Sequence, residues 1–389
     1  MMLCRTFIAS IGAFLIAGIV GTVQAASPAF ETTLGVNHHF TQEAGQDARD
    51  IEETRTAGFR VIRYDMTWAA VEHQKGQYDF QTFDRLTEQM LGKGIRPLFI
   101  LDYGNPLYGD ALAVRTEEAR MAFARFAAAA EERYRGKGVI WELWNEPNDE
   151  VFWLPHPDVS EYMKLVIGTA EAMRTADPDA TIIAPGTAHI DFSFLENCFK
   201  LGLLSLVDAV SVHPYREGPP ETVLDDYGRL RQLIRKYLPP DKSMPLVVSE
   251  WGYLARSAGK AEQLQARNLS RMFLVNAYAG IDFTIWYDFR NDPGEQRDSN
   301  YGWLRQDGTD KPVLEAARNL GRQLSGRRFA GRLASRATDF LLEFVDAQNK
   351  PCVVAWTTGR EHAVHVEGQG AVRLTQSPQY LKCRLQGPE

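Results

Sequence analysis

Glu146 and Glu250 each close an apolar run of strand type where the chain must turn. The runs are Trp141-Glu142-Leu143-Trp144-Asn145-Glu146-Pro147-Asn148 and Val247-Val248-Ser249-Glu250-Trp251-Gly252-Tyr253. Two carboxylates facing one another across a cleft are what cleavage of a glycosidic bond requires. One protonates the departing oxygen, and the other attacks or shields the sugar carbon as positive charge develops. A lone Glu just past a strand end is more often a helix cap or an ion-pair partner. The weight therefore rests on the pair and on what brings it together.

Apolar runs of strand length recur at 34–40, 59–68, 96–104, 139–148, 181–188, 207–215, 245–253 and 281–290. Helical spacing lies between them, at 80–91, 117–134, 160–176, 222–237 and 262–278. Asp158 and Thr116 stand at N-cap positions, Pro312 where a last helix would begin, and Gly58, Gly94 and Gly280 just before strands. Eight alternations of this kind predict an α/β fold, a (β/α)₈ TIM barrel, with chemistry at the C-terminal ends of the strands. Polar residues gather at those ends: Asn37-His38-His39, 63–65, Asp102-Tyr103, Asn145-Glu146, His213-Pro214-Tyr215, Glu250 and 286–288. No Gly-x-Gly-x-x-Gly follows the first strand, which argues against a nucleotide fold. Strand alternation puts Glu146 on the side of Trp144 and Glu142, with Glu142 pointing into the barrel toward Arg63.

Beyond about residue 325, short strand-like runs at 339–345, 352–357, 362–366 and 372–374 follow without helices. They predict a small C-terminal β-sandwich-like domain (325–389) after a barrel of 30–324. At the other end, Arg5 precedes an apolar stretch over 7–23, and Val23-Gln24-Ala25 offers small residues for cleavage. The reading is a signal peptide over 1–25 and a secreted or periplasmic protein, against the alternative of a single membrane anchor. Of 4 cysteines, Cys4 lies in that segment, Cys352 and Cys383 are placed to pair, and Cys198 falls in a helix. A net charge of −7 supplies no footprint for nucleic acid. No cofactor and no metal are expected. There is no Cys-x-x-Cys or Cys/His cluster, and His38 and His39, adjacent on a strand, point to opposite faces.

Asn145-Glu146-Pro147 on the fourth strand and Ser249-Glu250-Trp251-Gly252 on the seventh, with His213-Pro214-Tyr215 between, resemble the retaining glycoside hydrolases of clan A. Family 39 and its relatives, which include β-xylosidases and bacterial exopolysaccharide hydrolases, are the most similar. The resemblance covers the barrel in strand order and implies Glu146 as acid/base and Glu250 as nucleophile. It implies Asn145 at the sugar 2-hydroxyl and Trp286 as the platform beneath the sugar. Arg63 and Tyr215 are the donors expected to keep Glu250 ionised. His213 positions Glu146, binds substrate or is a core histidine. One of His38 and His39 reaches a sugar hydroxyl, and Tyr103 belongs to the aromatics near strand ends. The reaction expected is retaining hydrolysis of a poly- or oligosaccharide through a covalent glycosyl-enzyme, as an extracytoplasmic endo-glycosidase. The alternatives are an exo-acting β-xylosidase-like enzyme, a transglycosylase, or a non-catalytic carbohydrate-binding protein. The resemblance allows xylosides, uronic-acid chains and mannose- or glucose-rich polymers alike.

Overall fold

The computed structural model describes residues 29–41, 43–109, 111–293 and 299–383. The segment read as a signal peptide lies outside the described residues. Among these, no helix is long and apolar enough to cross a membrane.

Eight parallel strands close into a barrel: β1 (Leu34–Asn37), β2 (Val61–Thr67), β3 (Arg96–Asp102), β4 (Ile140–Leu143), β5 (Thr181–Ala188), β6 (Ala209–His213), β7 (Leu246–Trp251) and β8 (Thr284–Trp286). β8 pairs with β1 through Leu34↔Thr284, which closes the ring. Inward residues of the lower layers are aliphatic: Val61, Leu98, Ile100, Ile140, Ile183, Val247 and Ile285 form one buried cluster. Gly35 is required there, because a Cβ at that position would lie 2.2 Å from Cδ1 of Ile285.

The larger core lies between the strands and the surrounding helices, which include Glu117–Tyr134, Val159–Ala176 and Lys260–Ala279. Their ends follow the sequence signals. Thr116 accepts a hydrogen bond from the Ala119 amide, Asp158 accepts from Ser160 and Glu161, and Gly280 ends its helix at a φ of 65°. Pro312 opens the last helix, where its missing N–H costs nothing.

A four-stranded antiparallel sheet follows the barrel, in the order β14 (Gln379–Leu381), β11 (Pro351–Thr357), β10 (Asp339–Val345), β9 (Arg328–Arg332). A second sheet pairs β12 (His362–Val366) with β13 (Gly370–Leu374). Cys352 and Cys383 form a disulfide, and Cys198 is a buried free thiol. The sheet is locked to the barrel through Glu221, which accepts from Arg271 and from the Trp356 indole, both at 2.7 Å.

Candidate active site

Above the aliphatic layers the inward residues change character, and Arg63 is their centre. It is 1% exposed. Its Nε donates to Glu142 at 2.8 Å, Nη1 to Glu250 at 2.6 Å and to Asn37 at 3.2 Å, and Nη2 to Asn145 at 2.8 Å. A buried guanidinium is tolerated only when its donors are matched in this way. Burial would lower the Arg63 pKa, but Glu142 and Glu250 outweigh it and hold the cation. Burial likewise disfavours the Glu142 carboxylate, and the Arg63 cation overcomes that, so its pKa is lowered. The pairing of Glu142 with Arg63 is the one that strand alternation predicts.

Glu250 also accepts from the Tyr215 hydroxyl at 2.7 Å. Two donors, one of them cationic, thus grip one carboxylate. Glu146 lives differently. Its side chain is 13% exposed, and its protein partner is Nδ1 of His213 at 2.9 Å. Burial, reinforced by Asp149, pushes its carboxyl up to about 7. Burial pulls His213 down to about 4 despite nearby Glu250, so the imidazole is neutral, donating at one nitrogen and accepting at the other. Its Nε2 meets the Ser249 hydroxyl at 3.1 Å. One oxygen of Glu146, one of Glu250 and a ring nitrogen of His213 all lie within 4.8 Å of one another.

The backbone that aims Glu146 departs from the expected alternation. β4 stops at Leu143, and Trp144 and Glu146 adopt left-handed φ values of 74° and 48°. Each costs of the order of 1–3 kcal/mol for a residue with a Cβ. The first of these turns sends Trp144 outward, against Tyr103 and Trp153, with its indole donating to the Phe152 carbonyl at 3.1 Å. Trp144 therefore does not share a face with Glu142, and burial of Glu146 comes from the cleft instead. Gly186 gives the room beneath: a Cβ there would sit 2.8 Å from Oε1 of Glu142.

A cavity of about 430 Å³ opens beside the pair, lined by Asn37, His39, Arg63, Asn145, Tyr103 and Tyr287 among others. Asn145 accepts from Arg63 through Oδ1, which leaves its amide hydrogens as donors. Two expected residues are elsewhere. His38 is 1% exposed, bonded to Thr54 at 2.9 Å and stacked between Phe40 and Phe289, so His39 is the histidine that faces the cleft. Trp286 is fully buried with its indole toward the Tyr301 carbonyl. Its neighbour Tyr287 lines the cavity instead, because β8 ends at Trp286 and the next residue turns inward. Asp65, half-buried on β2, also lines the cavity.

Two groups bring ligand-type atoms within 4.8 Å: Glu146 with His213 and Glu250, and His39 with Asp288 and Asp292. In each, Nδ1 of the histidine already bonds to a carboxylate at 2.9 Å, Glu146 in one and Asp292 in the other. The residues are thus matched to one another and do not call for a metal.

Residues 23–292 match the model of the cellulase family, glycosyl hydrolase family 5. The chain belongs to this family. It is accordingly a glycoside hydrolase of clan A, whose members retain anomeric configuration. Family 39, to which the sequence motifs pointed, enters through solved structures. A family 39 glycoside hydrolase from Bacteroides cellulosilyticus WH2 is 24% identical with a TM-score of 0.77, over 91% of this chain and 81% of that one. A family 39 β-xylosidase from Caulobacter crescentus is 21% identical with a TM-score of 0.66, over 87% and 80%. A family 30 endoxylanase from Clostridium papyrosolvens C71 is 13% identical with a TM-score of 0.63, over 88% and 86%. At these identities the likeness is one of fold. No curated protein matches this family 5 chain.

Proposed function

We propose that the enzyme works by double displacement, with Glu250 as nucleophile and Glu146 as acid/base. The observation that carries this is the approach of the two carboxylates within 4.8 Å, in opposed surroundings. A separation near 5 Å suits direct attack, whereas an inverting pair stands further apart to admit a water. In the first step ionised Glu250 bonds to the anomeric carbon as the bond to the leaving oxygen breaks, and protonated Glu146 gives that oxygen its proton. In the second, ionised Glu146 takes a proton from water. The oxygen of that water bonds to the anomeric carbon, and the ester to Glu250 breaks. Asn145 offers an amide hydrogen to the 2-hydroxyl, a contact that strengthens in the transition state.

The substrate on this reading is a polysaccharide outside the cytoplasm, cut within the chain. The signal-type N-terminus supports the location. The β-xylosidase from C. crescentus keeps an exo-acting reading in play.

Mass analysis after incubation with a panel of 2-fluoro glycosides tests the roles, because fluorine slows breakdown of the covalent intermediate. A label on Glu250 is expected, and a label on any other carboxylate would remove it as nucleophile. Cleavage within the chain should shorten a polysaccharide well before monosaccharide accumulates. Release of monosaccharide from the outset would select the exo reading.

A further inference from the structure

One segment connects the C-terminal sheet with the gripped carboxylate. It runs from the end of β6 to the helix Val223–Tyr237. Tyr215, whose hydroxyl donates to Glu250 at 2.7 Å, stands near its start. Glu221, which takes the tie from the sheet, stands near its end.

Between these two residues the segment is stiff. Arg216 staples its ends together: Nε donates to the Pro214 carbonyl at 3.1 Å, Nη1 to the Thr222 hydroxyl at 3.1 Å and Nη2 to Asp226 at 3.2 Å. Pro219 and Pro220 have φ locked by their rings, Pro219 at −57°. Gly218 is the natural hinge, and the Tyr253 hydroxyl holds its carbonyl at 3.1 Å. A displacement of Glu221 is therefore passed on to Tyr215.

Glu221 is in turn fixed from outside the segment. It forms a buried fork with Arg271, whose side chain is 3% exposed against 7% for Glu221. The same Oε1 that takes Nε of Arg271 at 2.7 Å takes the Trp356 indole hydrogen at 2.7 Å. Trp356 is fully buried on β11, opposite Phe340 of β10, and stacks on that ring with centroids 4.9 Å apart. The sheet's register thus decides where the indole points. Holding the sheet on the barrel does not require this place, because Arg267, on the same helix as Arg271, bonds Gln376 before β14 at 2.8 Å.

We propose that Trp356 is a positioning residue for the reaction. Acting through Glu221 and the stapled segment, it keeps Tyr215 on Glu250, so the C-terminal sheet sets the rate at which the nucleophile attacks. The inference rests on the reading of Glu250 as nucleophile.

Trp356→Phe in the full chain keeps a stacking ring and deletes the indole N–H. With a 2-fluoro glycoside that labels Glu250, the saturating rate constant of labelling should fall by about three- to tenfold, with half-saturation within about twofold. In a Tyr215→Phe background the same substitution should change that constant by less than about twofold, because the contact it supports is already gone. A rate constant counts only molecules that react, so partial unfolding would lower the yield of label and leave the constant alone. Gln376→Ala, which cuts the second tie, should leave the constant within about twofold. No change in Trp356→Phe, an equal fall without the Tyr215 hydroxyl, or the same fall in Gln376→Ala would overturn the proposal. If Trp356→Phe does not fold, Arg271→Lys, which keeps the charge and breaks the fork, must show the same dependence on Tyr215. A label elsewhere, or none, would remove the catalytic reading and leave the mechanical one to hydrogen exchange. There Trp356→Phe should speed exchange of the peptide spanning 214–222 by about threefold or more, and unchanged exchange would overturn the brace itself.

Discussion

Glu250 and Glu146 sit within 4.8 Å of each other, yet the protein treats them oppositely. Glu250 is held by a buried guanidinium and a phenol. Glu146 is buried beside a neutral imidazole, with an acid, Asp149, near enough to raise it further. Proximity alone would couple the two. The division of roles comes from the second layer, in which Arg63, anchored by Glu142, stands close to one carboxylate and leaves the other without a direct cation.

Removing the gripped carboxylate should break the contrast outright. Glu250→Gln is expected to lower turnover by roughly 10⁴-fold or more with the fold intact; activity near wild type in a stopped assay would end its role. Removing the grip comes next. Arg63→Met strands Glu142 and Glu250 in a buried site, and should cost about 3–5 kcal/mol of stability by chemical denaturation. Glu146→Ala should spare glycosides with very good leaving groups in the first step. Added azide, which needs no base, should restore the second. Tyr215→Phe deletes one of two donors to a charged group, worth about 1.5–3 kcal/mol, so kcat/KM should fall by roughly 10- to 100-fold.

The smallest effect tests Glu146 through the fold itself. Its carboxyl is raised in the folded state from 4.5 to about 7, first by burial. The folded protein therefore holds a proton that the unfolded chain releases earlier. The stability this contributes is fully present below 4.5 and is lost as pH rises through about 7. Glu146→Gln should gain on wild type by about 1–3 kcal/mol between acid and mildly alkaline pH, read from paired melts. An unchanged difference would mean Glu146 is not raised. The same titration predicts that kcat/KM declines above about pH 7, as the acid loses its proton.

The contrast was half legible in the sequence. The strands and the two glutamates announced themselves because an apolar run ending in a carboxylate survives any detail of packing. Arg63, Tyr215 and His213 followed from strand-end position. Trp144 was misplaced because left-handed backbone at a non-glycine has no sequence mark. His38 and Trp286 failed for a related reason: at a strand's last residue, a shift of one exchanges the inward side chain for its neighbour. β9 went unseen as well, since Arg-Phe-Ala-Gly-Arg reads as polar until β10 covers it.

His213 bridges Glu146 and Ser249 and stays neutral, so it has one hydrogen to place. Placed on Nδ1, that hydrogen serves Glu146 in both halves of the cycle, because a carboxyl that carries a proton still has an oxygen able to accept. The acid's own proton is then left for the departing sugar. Nitrogen chemical shifts from labelled histidine would show one tautomer throughout, a fixed rest for a carboxyl whose charge comes and goes.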